Sequence, residues 1–105
     1  MSTPKKLKGK QTSFLRGLGH HLEPVTMIGK EGMTDNLIKS VAALLDAREL
    51  IKGKVQENCP LDRHEAAELL AERTKSSLVQ VIGRTFLLYR ENKKQKEDKK
   101  IILPR

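Results

Sequence analysis

The sequence is poor in cysteine and has no long apolar run, and each shortage excludes a class of protein. A single cysteine, Cys59, cannot form an internal disulfide, so a disulfide-stapled secreted domain is excluded and a reducing compartment is favoured. Residues 1–22 are basic but contain no continuous apolar stretch, and no segment approaches the length of a membrane-spanning helix. We therefore expect a cytoplasmic protein with no membrane partner.

Aromatic residues are also scarce, at 3% of the chain, with no tryptophan. Proteins that read single-stranded nucleic acids stack bases on exposed rings, but Phe14 and Phe86 both lie in apolar patterns typical of a core. Tyr89 is the one ring considered for stacking, and partial burial with a solvated hydroxyl suits its position as well. If the partner is a nucleic acid, this composition favours a structured one that is recognised by shape and backbone.

Residues with catalytic or metal-binding chemistry form no recognisable set. His20 and His21 are adjacent and would point about 100° apart on a helix, whereas Cys59 and His64 flank a break expected at Pro60. Three glutamates on one side of a predicted helix are explained by a solvated helix face. We predict no enzyme, no metal site and no cofactor.

Positive charge is abundant, and it is concentrated at the two ends of the chain. The 105 residues suit one domain with a single core, and they carry a net charge of +8. Residues 1–16 have a net charge of +5 and residues 90–105 a net charge of +4, which leaves −1 between them. Basic flanks are typical of proteins that bind polyanions, because phosphates release counterions on binding. The alternative is that the flanks only keep the protein soluble.

Hydrophobic spacing predicts an α/β domain with the element order α-β-α-β-α-β-β. The predicted helices are residues 6–19, 34–45 and 62–74, and the predicted strands are 25–28, 50–56, 78–82 and 86–90. In the second strand the side chains alternate between an inner face and a basic polar face, which is formed by Lys52, Lys54 and Gln56. Thr34 is placed to cap the second helix, and Asp62 with Glu65 resembles a capping box for the third. A glycine between the last two strands predicts a hairpin, so we expect a mixed four-stranded sheet with packed helices.

The tetrapeptide Gly29-Lys30-Glu31-Gly32 connects the first strand to the second helix. Two residues without Cβ atoms would let a phosphate backbone approach the free N–H groups of the helix that follows. Lys30 and the helix start near Thr34 would then bind phosphate. The same pattern is consistent with a simple turn that binds nothing, and it lacks the spacing of a Walker phosphate loop.

Several motifs occur in order along the chain. They are Leu15-Arg16-Gly17-Leu18, Leu22-Glu23-Pro24-Val25, the loop from Ile28 to Gly32 with Thr34, Glu49-Leu50-Ile51-Lys52, and the run from Val79 to Arg90. Together they resemble the CRM domain (chloroplast RNA splicing and ribosome maturation) in its stand-alone bacterial YhbY-like form, over residues 10–90. The resemblance implies an RNA-binding module with a fold similar to the C-terminal domain of translation initiation factor three. It also implies an association with precursors of the large ribosomal subunit.

We expect residues 1–90 to form the RNA-binding domain and residues 91–105 a basic tail. Residues 91–100 are predicted to be a mobile linker, and residues 101–103 either add an edge strand or dock on the body. The interpretation is a monomer that binds ribosomal RNA in a large-subunit precursor and assists assembly. The alternative is an adaptor that recognises a ribosomal protein or translation factor through its sheet. The residues expected to bind RNA are Lys8, Lys10, Arg16, Gly29, Lys30, Gly32, Thr34, Lys52, Lys54, Arg84 and Arg90.

Overall fold

The structure, a computed structural model, describes residues 7–95 and 100–104. Its helices are α1 (Gly9–His20), α2 (Asp35–Arg48) and α3 (Arg63–Thr74), and its strands are β1 (Pro24–Ile28), β2 (Leu50–Val55), β3 (Ser77–Ile82) and β4 (Thr85–Tyr89). The predicted element order is confirmed. The largest boundary shifts are of three residues: α1 begins later than predicted and α2 ends later than predicted.

The four strands form one mixed sheet in the order β1-β2-β4-β3. β1 is parallel to β2, and the other two pairs are antiparallel, as the predicted hairpin requires. One face packs against α2 and α3 in an aliphatic core that includes Val41, Leu45 and Leu70. The opposite face packs against α1 through a smaller cluster that includes Leu15 and Leu87. The sheet is therefore fully covered by helices on one face, whereas the other face has only α1.

β2 lies in the interior of the sheet, and the burial of its side chains changes along its length. Ile51 and Val55 face the core of α2 and α3, as the alternation of the sequence predicts. On the opposite face Leu50 is buried in the cluster under α1, while Lys52 is half-buried and Lys54 is exposed. The predicted polar face of Lys52, Lys54 and Gln56 reaches solvent, whereas Leu50, which precedes it, is buried because α1 covers the start of β2.

The two predicted helix caps are present. The Thr34 hydroxyl accepts a hydrogen bond from the Leu37 N–H at 3.1 Å, so α2 begins where the sequence predicts. The Asp62 carboxylate accepts one from the His64 N–H at 3.1 Å, rather than from the N–H of Glu65 as a capping box requires. Both side chains fix the helix starts that follow β1 and β2.

Glu49 ends α2 and attaches the C-terminal segment to the body. Its fully buried carboxylate accepts hydrogen bonds from the N–H groups of Asn92 and Ile101, each at 2.7 Å, and pairs with Lys100 at 2.9 Å. Burial alone would raise the pKa of Glu49, but these donors and the positive charge of Lys100 outweigh it and hold the pKa below its ordinary value. Hydrogen-bond donors near both ends of the predicted linker thus compensate the charge of this buried carboxylate.

The mobility of the linker stays a prediction, but Asn92, Gln95 and Lys100 are bonded to α2 and to Glu49 at its end. The Asn92 side chain donates to the Asp46 carbonyl at 2.8 Å, and the Gln95 side chain donates to the Ala47 carbonyl at 2.8 Å. Residues 96–99, which complete the predicted linker, lie outside the described residues.

Of the two arrangements expected for residues 101–103, the structure shows docking on the body and no edge strand. Ile101 and Leu103 pack against the cluster under α1, and the Pro104 carbonyl accepts a hydrogen bond from the Gln11 side chain at 2.9 Å. Apolar burial, rather than strand pairing, therefore attaches this segment. The start of α1 therefore lies beside the C-terminal segment.

Candidate nucleic-acid interface

Three connections lie side by side at one end of the sheet. The Gln56 N–H donates to the Ile28 carbonyl at 2.9 Å, and the Val55 N–H donates to the Arg84 carbonyl at 2.7 Å. These bonds join the connection after β1, the connection after β2 and the β3–β4 turn. We call this end of the domain the loop end, and it comprises residues 29–34, 56–62 and 83–84.

α1 leaves the sheet uncovered next to the loop end. Gly19 packs so closely on Leu87 that a Cβ atom at residue 19 would lie 2.4 Å from the leucine side chain. α1 ends one residue later, at His20. The part of this sheet face beyond Leu87 is therefore open to solvent.

One row of residues crosses all four strands in this open part. Met27 pairs with Lys54, Lys54 with Thr85, and Thr85 with Ile82, so the four side chains share one face. Met27 is 55% exposed and Ile82 is 61% exposed, although both are large apolar residues. We call these four residues the open row; it presents a cation between two apolar ends.

Three of the predicted RNA-binding cations, Lys30, Lys54 and Arg84, lie at the loop end or in the open row. A fourth, Lys52, is half-buried beside Leu87 on the same face. The salt bridges of the described residues involve none of the three lysines, Lys30, Lys52 and Lys54. Arg84 lies 3.8 Å from Glu57, whose side chain is 86% exposed. Such an exposed pair contributes little, so all four cations are available to a polyanion.

The Gly29–Gly32 segment is a tight turn in which both glycines have a packing role. The Gly32 N–H donates to the Gly29 carbonyl at 3.0 Å, and Gly32 has a φ of 66°. A Cβ atom at residue 32 would lie 3.3 Å from Cγ of Pro60, and one at residue 29 would lie 2.6 Å from Oε1 of Gln56. Gly32 is buried, whereas Lys30 is exposed at the tip. The turn and its packing therefore account for the two glycines without a ligand.

The start of α2 offers less to a phosphate than the sequence implies. The Thr34 hydroxyl is already engaged by the Leu37 N–H, and Thr34 is half-buried. Asp35 adds an exposed negative charge in the first turn. Of the groups in this segment that were predicted to bind phosphate, Lys30 is the one with a positive charge, and none of the salt bridges of the described residues involves it.

The remaining predicted site residues lie away from the loop end. Lys8 and Lys10 are exposed at the start of α1, beside the C-terminal segment, and Arg16 is exposed further along α1. The loop-end cations and the first two lysines of α1 are therefore at different ends of the sheet. The structure does not bring all the predicted residues into one patch.

Arg90 has a structural environment that the sequence did not reveal. Its guanidinium donates to the Thr74 carbonyl at 2.7 Å, to the Ala42 carbonyl at 3.0 Å and to the Asp46 carboxylate at 2.6 Å. These bonds join the end of β4 to α2 and α3. We therefore leave Arg90 out of the interface.

The aromatic residues also differ from expectation. Phe86 is buried as predicted, but Phe14 is 39% exposed, because α1 buries a narrow stripe centred on Leu15 and Phe14 lies about 100° from it. Tyr89 is only 2% exposed and is not available for stacking. Burial, together with two nearby carboxylates, raises the pKa of Tyr89 to about 12, so its phenol stays neutral.

A groove runs between the open row and the loop end. We call it the loop-end groove; its volume is about 550 Å³, and it is lined by Met27, Lys54, Val55, Gln56, Glu57, Asn58 and Arg84. Gln56 was recognised in the sequence only as part of a polar strand face, and Asn58 gave no signal beyond its place in a turn. The residues meet because β1, β2 and the hairpin end together, which sequence spacing does not show.

The described residues lack the features of two other kinds of site. None of their helices has the length and apolar content needed to cross a membrane. Within the same part of the chain, no group of three His, Cys, Asp or Glu residues is arranged to hold a metal ion.

Comparison with known proteins identifies related chains. The family model of the CRS1/YhbY (CRM) domain matches residues 7–90. The "Probable RNA-binding protein YqeI" of Bacillus subtilis is 50% identical over 93% of this chain and 99% of its own length. A Haemophilus influenzae chain named "RNA-binding protein" is 38% identical over 94% of this chain and 96% of its own. The solution structure of hypothetical protein SAV1595 from Staphylococcus aureus matches with a TM-score of 0.77 and 47% identity, covering 94% of this chain and all of the other.

Proposed function

The chain belongs to the CRS1/YhbY (CRM) domain family, and we propose that it binds structured RNA through the loop end and the open row. Its relatives in Bacillus subtilis and Haemophilus influenzae carry names that describe RNA-binding proteins and are similar over nearly their whole length. The chemistry of the open face supports the same activity here.

The observation that carries this proposal is the position of Lys54. It lies in the middle of the open row, beside the loop end, with no salt-bridge partner in the described residues. Lys30 and Arg84 lie on the adjacent loops. Cations on neighbouring connections can contact successive phosphates of one backbone, and such contacts position an RNA without reading its sequence. The scarcity of exposed aromatic rings favours structured RNA over an unpaired strand.

We further propose that the RNA is ribosomal RNA in a precursor of the large subunit, and that the protein assists assembly as a cytoplasmic monomer without a cofactor. The support for this target is the resemblance to the stand-alone bacterial form of the family, which implies an association with such precursors. The protein acts by binding, since the interface offers cations and amides rather than a catalytic set.

Salt dependence of RNA binding tests the proposed activity. If about five phosphates are contacted, the logarithm of the affinity falls with the logarithm of salt concentration at a slope of about −3.5 to −4.5. The measurement is a titration of ribosomal RNA fragments at several salt concentrations. A flat dependence, or no binding at low salt, would favour the adaptor that binds a ribosomal protein or translation factor.

A further inference from the structure

The loop-end groove combines three kinds of surface in one place. Its volume of about 550 Å³ lies within the range of about 300–1,000 Å³ that is typical of small-ligand pockets. Met27 provides an apolar wall, Gln56 and Asn58 provide carboxamides, and Lys54 and Arg84 provide positive charge. A nucleotide has the three matching parts, namely the face of the base, the edge of the base and the phosphate.

We propose that the groove holds one unpaired nucleotide of a structured RNA, an inference that rests on the proposed function and adds a substrate class to it. The base packs against Met27. The carboxamides of Gln56 and Asn58 bind the edge of the base, since a carboxamide offers a donor and an acceptor side by side. The phosphate lies against Lys54 and Arg84.

Glu57 is the one carboxylate among the lining residues, and it does not close the groove to a phosphate. It lies 3.8 Å from Arg84, and its side chain is 86% exposed. An exposed pair of this length contributes little, so Glu57 can turn to solvent when a phosphate approaches. The lining then presents two cations.

Gly29 controls the position of the Gln56 carboxamide. A Cβ atom at residue 29 would lie 2.6 Å from Oε1 of Gln56, which is the flexible end of that side chain. The Gly29→Ala substitution would therefore displace the carboxamide and leave the backbone in place. In the free protein Nε2 of Gln56 lies 3.5 Å from Sδ of Met27, a weak contact that a base can replace. The first glycine of the turn thus makes room for a base-reading group.

The test compares two hairpin RNAs that are identical except for a single bulged adenosine. Adenosine is the probe because carboxamides form two hydrogen bonds with the edge of adenine. We expect the parent to bind the bulged hairpin roughly tenfold more tightly than the paired hairpin, because the bulged base adds two hydrogen bonds. The double variant Gln56→Ala and Asn58→Ala should lose most of this preference, measured as the ratio of the two affinities, because Met27 can still pack against the base.

Two further variants make the result specific. Asn36→Ala removes an exposed carboxamide on α2, outside the groove lining, and should keep the preference for the bulge. Gly29→Ala should weaken the preference while the protein stays folded. Equal binding of both hairpins by the parent, with strong salt dependence, would overturn the nucleotide site and leave the proposed function intact. A preference of undiminished size in the double variant would also overturn it, whereas no binding to either hairpin at low salt would overturn both.

Discussion

Reversing the charges of Lys54 and Arg84 together is expected to weaken RNA binding roughly 30- to 150-fold, equivalent to about 2–3 kcal/mol. The double variant Lys54→Glu and Arg84→Glu removes two phosphate contacts and replaces each with repulsion. Both side chains are exposed, so the fold should tolerate the changes. The measurement is the affinity for a ribosomal RNA fragment at fixed salt concentration, with thermal unfolding of both proteins.

A matched control is available on the opposite side of the domain. Lys39 on α2 and Arg73 on α3 are exposed, and their reversal to glutamate changes the net charge by the same amount. We expect this control pair to bind RNA within about threefold of the parent, since the remaining effect is screened over distance. An equal loss in both pairs would mean that total charge, rather than the loop end, determines binding.

The Gly32→Val substitution is expected to destabilise the fold by about 2–3 kcal/mol, because a β-branched residue is strained at positive φ. Gly32 has a φ of 66°, and the added Cβ would also press on Pro60 at 3.3 Å. Urea denaturation compares the free energy of unfolding of the variant with that of the parent.

Gly17→Val is the control for this substitution. A Cβ atom at residue 17 meets nothing within 4 Å, so we expect a change of less than about 1 kcal/mol. RNA affinity of Gly32→Val, measured where it is fully folded, should fall less than for the charge-reversal pair, because Lys30 alone is displaced. A stable Gly32→Val variant with severely weakened RNA binding would show that the glycine serves the RNA rather than the turn.

Local patterns in the sequence were sufficient to predict the elements of the fold. Thr34 and Asp62 cap the helices because a short polar side chain satisfies free N–H groups within the same turn. The alternation around Ile51 and Val55 records burial on one face of a strand. Each of these signals depends on neighbours within a few residues, so the sequence displays it directly.

Contacts between distant residues were not predictable in the same way. Glu49 binds Ile101, and Arg90 bonds to Ala42, across 52 and 48 residues respectively. Nothing in hydrophobic periodicity encodes such pairs, so the sequence did not show that the charged tail bonds to the body or that Arg90 bonds to α2 and α3. The exposure of Phe14 was missed because the width of the stripe that α1 buries depends on how much of the sheet it covers.

The sequence indicated the charged residues of the candidate site but did not indicate the groove between them. Lys54 and Arg84 were identified from a basic strand face and a hairpin turn. The groove between them depends on where α1 stops and on three connections that meet at one end of the sheet. Those are properties of the assembled fold.

Crosslinking of the protein to RNA in cells, followed by sequencing of the attached RNA, tests the central claim most directly. It is best done in parallel for the parent, the Lys54 and Arg84 reversal pair, and the Lys39 and Arg73 control pair. The account predicts that reads from the parent and the control concentrate in precursors of large-subunit ribosomal RNA, and that the reads fall sharply for the Lys54 and Arg84 pair. Parent reads without enrichment in ribosomal RNA, or reads unchanged by reversal of Lys54 and Arg84, would contradict it.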